Sequence, residues 1–542
     1  MIARRFTFTT KHWLIAIVLL GAVLRFVPIW FGLPFHEARP DEETSVGHAL
    51  AVLDGDFNPH FFHWPSLTFY LFAAVYAVAA WIKGVIDFHP VLTPNHLFVI
   101  GRAVVAAAGT LTIVVLFSLT RRIAGDVTAL VAAFFLAVAT LHVRESHFAM
   151  TDVLMTLLVT LSMALLLRAF DEATQTGEPG DRTLRGFAAA GLACGLAAST
   201  KYSGGAVAAA MVAVQCSLAL RARHDPWRMR VWMPSVAFAL AAGLGFLVAT
   251  PYALLDYRSF AGGLAFDFTH LSGGHGIDLG VGWIYHLTRS LPVGLSVPIF
   301  AAAIAGAVLM ARRHGRAAFV VGVFCAAFYA AIASGHTVFF RYVLPLVPFL
   351  CLLAAAAVID AGDWLGRRTG FSRGATAAVI ALLIGLPALV SSTRFDILLA
   401  RTDSRVLAGR WLAANVKPEE SLYDTGGTYA QASLLGVDVH VWAVGTFDEA
   451  ANSFRGAGSH IPDWLVLPRS PLIYTSVPAG LQRLADEKYE VVHRVDATRE
   501  GITDGNYDPQ DAFFLPVTGF ESVLRPGPTI LIYRRRADAG RS

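Results

Sequence analysis

The sequence predicts an all-α polytopic membrane protein of about eleven transmembrane helices, followed by a small soluble α/β domain. Hydrophobic residues make up 55% of the 542 residues and charged residues only 15%, against roughly 25% charged residues in soluble chains. The apolar residues are concentrated in long blocks between residues 12 and 393, whereas residues 394–542 have the composition of a soluble protein. We therefore divide the chain into a membrane domain, 1–393, and an extracytoplasmic domain, 394–542.

The membrane domain contains twelve apolar segments that could cross a bilayer. Each is followed by a polar or charged turn, as expected for consecutive spans. The segments are 12–31, 65–87, 96–120, 127–142, 152–170, 186–200, 203–220, 231–250, 283–310, 317–333, 342–361 and 375–393.

The distribution of lysine and arginine predicts the orientation of these segments. Six loops, which we assign to the cytoplasm, hold 17 Lys and Arg residues, and the opposing loops hold six. The basic loops are 1–11, 121–126, 171–185, 221–230, 311–316 and 366–374. They fall on one side only if segment 65–87 makes no net crossing. We expect that segment to be re-entrant or to lie along the outer leaflet; the alternative is that it crosses together with a partner that we have not identified.

This topology predicts a multi-pass protein of the cell inner (plasma) membrane, with a cytoplasmic N-terminus and the C-terminal domain outside. The run 12–31 follows Arg4, Arg5 and Lys11, but it lacks a small-x-small cleavage site, so we interpret it as a retained first helix. A net charge of +4 is too small to indicate a nucleic-acid partner. All four cysteines lie within apolar blocks, which excludes a loop disulfide framework.

The C-terminal domain shows helical spacing over 403–416 and short β-rich runs at 464–468, 489–494 and 529–533. This pattern predicts a small α/β domain. No nucleotide-binding loop, catalytic triad or metal cluster can be identified in it.

Polar residues accumulate in the five places that we assign to the outer side. The first contains Arg39-Pro40-Asp41-Glu42-Glu43, which could be the acidic first turn of a helix or could supply a general base. The second is His142-Val-Arg144-Glu145-Ser146-His147-Phe-Ala-Met-Thr151-Asp152, where Asp152 could cap the next helix; the density of charged residues favours a function.

The other three places contain isolated cations and histidines. Lys201, with Tyr202, could snorkel to the interface or bind a lipid-linked phosphate. His270-Leu-Ser-Gly-Gly-His275-Gly could be a loop that covers a site, since two histidines are weak evidence for a metal. His336-Thr-Val-Phe-Phe-Arg341-Tyr342 contains an arginine suited to phosphate or to an interfacial belt. A sixth candidate, Arg102, lies at membrane depth in segment 96–120, where a cation indicates a functional site.

These motifs, in order over about residues 10–400, resemble bacterial glycosyltransferase family 39. The resemblance is carried by PDE after the first helix, HVRESHFAMTD, GLAASTKYSG, GGHG and RYVLPLVPFL. This family has the GT-C fold and is similar to protein O-mannosyltransferases and lipid A aminoarabinose transferases. The resemblance implies a polyprenyl-phosphate-linked sugar donor and an extracytoplasmic protein, lipid or glycan acceptor.

The resemblance also implies roles for individual residues. The acid of the first outer loop matches Asp41, with Glu42 as the neighbouring alternative, and the second acidic motif matches Asp152. These three are the catalytic candidates. We expect neither a cofactor nor a required metal. The expected substrate-binding residues are Arg102, Glu145, His147, Lys201, Tyr202, His275, His336, Arg341 and Tyr342.

The expected reaction is a direct displacement at the anomeric carbon, with inversion. Asp41 would accept the proton of the acceptor hydroxyl, and cations would stabilise the departing phosphate. Two other classes remain: a lipid or glycan transporter (flippase), for which the sequence shows no internal repeat, and a lipid-linked glycan ligase or polymerase.

Overall fold

A computed structural model describes residues 9–176, 180–222, 228–455, 460–502 and 504–537. The basic residues Arg4, Arg5 and Arg223, which contributed to the predicted orientation, lie outside these ranges. The chain forms two compact units. The first comprises the chain up to Ile29 together with Thr44–Thr393, and the second comprises Trp30–Glu43 together with Arg394–Ser542. The loop that carries Asp41 and Glu42 therefore groups with the C-terminal domain, although it follows the first helix in sequence.

The membrane domain is almost entirely helical, because its long apolar runs can satisfy their backbone hydrogen bonds in a bilayer only within helices. Short 3₁₀ turns begin at Tyr202 and Phe340, and a π-helical turn occupies His286–Ser290. The helices are Thr10–Phe26, Glu42–Leu53, Leu67–Asp87, Pro94–Ala124, Asp126–Val138, Thr140–Glu145, Asp152–Thr176, Asp181–Ala198, Val207–Arg221, Met229–Ala249, Tyr252–Leu255, Tyr257–Gly273, Gly282–Tyr285, Leu291–Leu295, Val297–Arg313, Gly315–Ala333, Val347–Thr369 and Arg373–Leu399.

The sequence predicted twelve apolar segments, but fewer helices are both long enough and apolar enough to cross a membrane. In the described part of the chain eight meet both conditions, and nine if the sharply bent pair Gly282–Leu295 and Val297–Arg313 counts as one span. Three of the twelve predicted segments do not meet them. Thr10–Phe26 has 17 residues, Asp126–Val138 has 13, and Asp181–Ala198 carries charged residues in its first turns.

Segment 65–87 is one continuous helix, Leu67–Asp87, of 21 residues. It is among the eight segments that are long and apolar enough to cross a membrane. Because the backbone does not turn back on itself, the predicted re-entrant form is wrong. Its placement along the outer leaflet stays a prediction.

The loops that we assigned to the cytoplasm contact one another at one end of the helices. Arg122 lies 3.8 Å from the Asp171 carboxylate, and Arg316 donates to the Thr174 hydroxyl at 3.2 Å. Arg313 pairs with Asp360. These contacts join loops that are far apart in sequence, as the alternation of basic loops predicts.

The C-terminal domain is built on a five-stranded mixed sheet with the order β2-β1-β5-β7-β6. β1 is parallel to β2 and to β5, whereas β7 is antiparallel to β5 and to β6. A separate antiparallel pair is formed by β3 and β4. The strands are β1 Ser421–Asp424, β2 His440–Trp442, β3 Phe447–Asp448, β4 Ser453–Phe454, β5 Trp464–Arg469, β6 Tyr489–Val495 and β7 Thr529–Arg535.

Both faces of the sheet are packed, as the nearly continuous apolar sequence of β5 requires. On one face, Trp464 and Val466 of β5 pack with Ala408 and Leu412 of helix Ser404–Asn415. On the other face, alternate strand residues pack against helix Ala479–Lys488. The small α/β domain predicted from residues 394–542 is therefore confirmed.

Candidate active site

Loops predicted to lie on the outer side meet in the first unit. The Leu67 amide donates to the Ser199 carbonyl at 3.0 Å, and the Tyr202 hydroxyl donates to the Phe62 carbonyl at 2.9 Å. The His336 amide donates to the Leu271 carbonyl at 3.0 Å. These bonds join the loop that ends at Leu67 to the turn Ser199–Tyr202, and the end of helix Tyr257–Gly273 to the loop that contains His336.

Asp152 and Lys201, from two of the motifs predicted on the outer side, form an ion pair. Asp152 begins helix Asp152–Thr176, and Lys201 follows helix Asp181–Ala198 in an extended conformation. The Lys201 ammonium donates to Asp152 Oδ1 at 2.7 Å. Gly204 permits this turn, because a Cβ there would lie 2.5 Å from the Ala197 carbonyl oxygen.

The exposure of the two partners is unequal. The Asp152 side chain is 2% exposed, whereas that of Lys201 is 24% exposed. Within the described residues, Asp152 Oδ2 has no hydrogen-bond partner. The Lys201 ammonium also lies 4.7 Å from the centre of the Tyr342 ring. A carboxylate and an aromatic face thus fix the lysine, while its charge stays accessible to an anion.

The two tyrosines predicted to bind substrate have different surroundings. The hydroxyl of Tyr202 is already hydrogen-bonded to the Phe62 carbonyl, so this side chain joins two loops. Tyr342 makes a cation–π contact with Lys201 and packs on Phe339, with the two ring centres 5.4 Å apart. Arg341 is 7% exposed and lies 4.2 Å from the centre of the Phe339 ring. Phe339 therefore supports both Arg341 and Tyr342.

The candidate histidines His275 and His336 lie near the end of helix Tyr257–Gly273. His336 Nδ1 lies 3.0 Å from Asp278 Oδ1. His275 packs between His270 and Phe339, with ring centres 5.2 Å away in each case. Among the residues that the structure describes, no group of three His, Cys, Asp or Glu side chains is arranged to hold a metal. The absence of a required metal stays a prediction.

The motif between His142 and His147 lies in the interior of the first unit. Arg144 and Glu145 form a buried ion pair, and His147 Nε2 lies 3.1 Å from the Val27 carbonyl oxygen. Arg102 is also buried and donates to the Ile29 carbonyl at 2.9 Å. His147 and Arg102 thus fix the backbone that leaves the first helix. Direct contact of Arg102, Glu145 or His147 with substrate stays a prediction.

Arg25 is a charged residue of this region that the sequence analysis missed. It is fully buried in helix Thr10–Phe26 and donates to the carbonyls of Leu136 and Ala137. Its guanidinium also lies 3.0 Å from His142 Nδ1. An arginine within an apolar segment was the available signal.

Asp41 and Glu42 lie in the second unit. Asp41 adopts a left-handed backbone conformation, with φ +71°, immediately before helix Glu42–Leu53. Few residues other than glycine tolerate this region, and aspartate and asparagine are among them. Glu42 is fully buried. The acidic first turn that the sequence predicted is present, and a strained backbone at Asp41 is a feature that accompanies functional sites.

The third acid, Glu43, is anchored by the C-terminal domain. Glu43 Oε1 accepts a hydrogen bond from the Tyr429 hydroxyl at 2.9 Å. Burial raises the pKa of Glu43, and the nearby Asp41 carboxylate raises it further. On the other side of Asp41, the buried Arg39 pairs with Asp511 at 2.8 Å. The acidic loop is therefore held on both sides by residues from the far end of the chain.

Arg405 joins this loop to the sheet. Its guanidinium pairs with Asp403 at 2.6 Å and donates to the carbonyls of Ala38 and Tyr429. Tyr429 belongs to the segment that follows strand β1, where Asp424 accepts hydrogen bonds from the backbone of residues 426 and 432. Burial raises the pKa of Asp424 to about 7. No sequence signal indicated these contacts to the acidic loop, because Arg405, Tyr429 and Asp511 each lie more than 350 residues from their partners in that loop.

Comparison with known proteins shows the fold and gives a family match for part of the chain. Residues 63–260 match the family model described as dolichyl-phosphate-mannose-protein mannosyltransferase. No curated protein sequence matches the chain. ArnT from Cupriavidus metallidurans in the apo state is similar in structure, with a TM-score of 0.54 and 17% identity over 96% of this chain and 98% of that one.

Two further solved structures share the architecture. ArnT bound to undecaprenyl phosphate gives a TM-score of 0.54 and 16% identity, over 97% of this chain and 98% of that one. The apo oligosaccharyltransferase of Archaeoglobus fulgidus gives a TM-score of 0.52 and 13% identity, over 85% of this chain and 70% of that one. The chain therefore has the GT-C fold of these glycosyltransferases, and its residues 63–260 match a mannosyltransferase family model.

Proposed function

We propose that this protein transfers a sugar from a polyprenyl-phosphate donor to a hydroxyl group of an extracytoplasmic acceptor. The observation that carries the proposal is the Lys201 ammonium, fixed by Asp152 and Tyr342 yet 24% exposed. A fixed cation at the end of membrane helices suits the phosphate of a lipid whose tail stays in the bilayer. The similar ArnT structure, which was solved with undecaprenyl phosphate, supports this choice of ligand.

The proposed reaction is a single displacement. The acceptor oxygen attacks the anomeric carbon, its proton passes to Asp41, and the carbon–oxygen bond to phosphate breaks. The electron pair of that bond leaves with the phosphate, whose charge Lys201 and Arg341 stabilise. Attack opposite to the leaving group inverts the anomeric configuration. Asp152 is a positioning residue in this scheme, because it touches Lys201.

The test is sugar transfer by the purified full-length protein in lipid nanodiscs. The donors are undecaprenyl phosphates carrying radiolabelled mannose, glucose, galactose or aminoarabinose, and the acceptors are envelope glycolipids and proteins extracted from cells that lack the gene. We expect one donor to release undecaprenyl phosphate and label an acceptor. Lys201→Ala should reduce transfer at least tenfold, since a charge-assisted contact contributes about 1.5–3 kcal/mol.

Lys83→Ala is the matched control, because Lys83 is also a lysine in a predicted outer segment, where it pairs with Asp87 four residues away. It should retain wild-type transfer. Movement of intact donor across the bilayer without cleavage would contradict the proposal and favour a transporter. Extension of a lipid-linked glycan on its own carrier would favour a polymerase.

A further inference from the structure

A short aromatic loop, residues 61–64, packs against helix Tyr257–Gly273 within the first unit. The rings of Phe62 and Phe260 lie 5.9 Å apart, and those of His63 and Phe266 lie 4.2 Å apart. Gly263 permits this close approach, because a Cβ there would lie 2.6 Å from the Phe62 Cβ. The loop is therefore held in one position against the helix.

This packing brings His63 close to Asp267 without a direct hydrogen bond. His63 Nδ1 lies 4.0 Å from Asp267 Oδ1, which is too long for a hydrogen bond. Across the described ranges, His63 Nδ1 and the neighbouring Trp64 Nε1 are buried nitrogen atoms without a hydrogen-bond partner. Buried polar atoms are normally paired. The two groups are close enough for one hydroxyl to bridge them once the side chains move apart to admit it.

The chemistry of the pair suits a neutral ligand. Burial raises the pKa of Asp267 to about 7, although the Lys201 charge opposes this effect. Burial also lowers the pKa of His63. Near neutral pH the imidazole is therefore uncharged and the carboxyl group is protonated in part, so that together they can both donate and accept a hydrogen bond.

Both side chains are partly exposed although His63 Nδ1 itself is buried, and an apolar ring lies beside them. The His63 and Asp267 side chains are 37% and 30% exposed, and Phe266 is 50% exposed. Sugar rings present apolar C–H faces and polar hydroxyl edges, so they match an aromatic face next to a hydroxyl-binding pair. The cation nearby is Lys201, whose charge acts on Asp267.

We propose that His63 and Asp267 bind a hydroxyl group on a sugar ring of the substrate, beside the phosphate-binding Lys201. This inference rests on the proposed function and refines it, because the pair would contribute to sugar selectivity. A site built to hydrogen-bond a hydroxyl discriminates strongly against ligands that lack it. The sugar ring could belong to the donor or to a glycan acceptor, and the experiment separates the two.

The experiment measures binding of two lipids to the full-length protein in nanodiscs. They are undecaprenyl phosphate, and undecaprenyl phosphate carrying whichever of mannose, glucose, galactose or aminoarabinose the wild type binds best. The variants are His63→Phe, which keeps a ring against Phe266 but removes both nitrogens, and Asp267→Ala. Asp54→Asn, an exposed carboxylate at the end of helix Glu42–Leu53, is the control.

If the pair binds the donor sugar, both variants should weaken binding of the glycosylated lipid by about threefold to tenfold and leave that of undecaprenyl phosphate unchanged. If it binds the acceptor, both lipids should bind normally and the acceptor KM should rise by a similar factor. The double variant should lose no more than the larger single effect, because both side chains contact one hydroxyl.

Two results would overturn the inference. One is unchanged lipid binding and unchanged acceptor KM in both variants, with the wild type still preferring the glycosylated lipid. The other is an equal loss for both lipids, which would place the effect at the phosphate. A wild-type protein that binds neither lipid would instead refute the proposed function itself.

Discussion

The two units use charged residues in different ways. In the first unit, the Asp152–Lys201 pair has one buried partner and one partly exposed cation, so it can still bind a ligand. In the second unit, the Arg39–Asp511 and Arg405–Asp403 pairs are at most 3% exposed and are surrounded by aromatic rings. Removing one partner of such a buried pair leaves an uncompensated charge and is strongly destabilising. The comparison indicates that the first unit uses its ion pair to bind, whereas the second uses its pairs to hold a loop.

The largest effect that we expect concerns the side of the membrane on which the second unit lies, because a compartment-specific reporter is either active or silent. A reporter that is active only outside the cytoplasm, fused after Ser542, should be active. The reason is the excess of Lys and Arg in the alternate loops. A reporter that is active only in the cytoplasm should be silent at the same position. The opposite pattern would mean that helix Leu67–Asp87 crosses the membrane and that the predicted orientation is wrong.

Asp41→Asn should lower kcat about a hundredfold to ten-thousandfold, the usual contribution of a general base. Asparagine is nearly isosteric and also tolerates the left-handed conformation at position 41, so expression and thermal stability should be retained. Glu42→Gln should have a smaller effect. Transfer assays with stability measured in parallel would decide this, and full activity of Asp41→Asn would shift the assignment to Glu42 or Asp152.

Arg341→Ala should raise the donor KM at least tenfold, since a charge-assisted contact contributes about 1.5–3 kcal/mol. Arg341→Lys should restore binding only in part, because lysine keeps the charge but loses the bidentate geometry. Lys201→Ala should resemble Arg341→Ala. An interfacial anchor would behave differently: lysine would replace Arg341 fully and the donor KM would not change. If all three variants keep the wild-type KM, Arg102 becomes the next candidate for the phosphate site.

The smallest effect that we expect comes from a variant that tests whether Tyr429 positions the acidic loop 41–43. Tyr429→Phe removes the hydrogen bond to Glu43, which is worth about 0.5–1.5 kcal/mol. We expect kcat to fall twofold to tenfold while the donor KM stays constant. The double variant with Glu43→Gln should lose no more than the larger single loss. Tyr489→Phe is the matched control, since Tyr489 is another tyrosine of this domain whose hydroxyl donates a hydrogen bond, in this case to the backbone carbonyl of Pro462. An equal fall in kcat for Tyr489→Phe would indicate a general loss of stability.

The sequence by itself determined that the protein is a helical membrane protein and divided its loops into two groups by their content of Lys and Arg. Long apolar segments must be helical in a bilayer, and basic loops report the side on which they lie. These are local properties, so they can be read from short windows. Helix Ser404–Asn415 and strands β5, β6 and β7 of the C-terminal domain were predicted for the same reason, since alternation and helical spacing need no distant partner. Lys201 was a candidate as an isolated cation between apolar segments, and Asp152 was a candidate because of the charged residues in its turn and the family resemblance.

Only the tertiary structure decided which of these charges are paired and with what. It showed that Lys201 bonds to Asp152, that Arg102 bonds to the Ile29 backbone, and that His63 lies beside Asp267. It also showed that residues 30–43 pack with a domain that begins at Arg394. Periodicity and charge patterns describe neighbours within about two helical turns, whereas these contacts depend on how distant segments pack. For that reason Arg405, Tyr429 and Asp267 had no signal in the sequence.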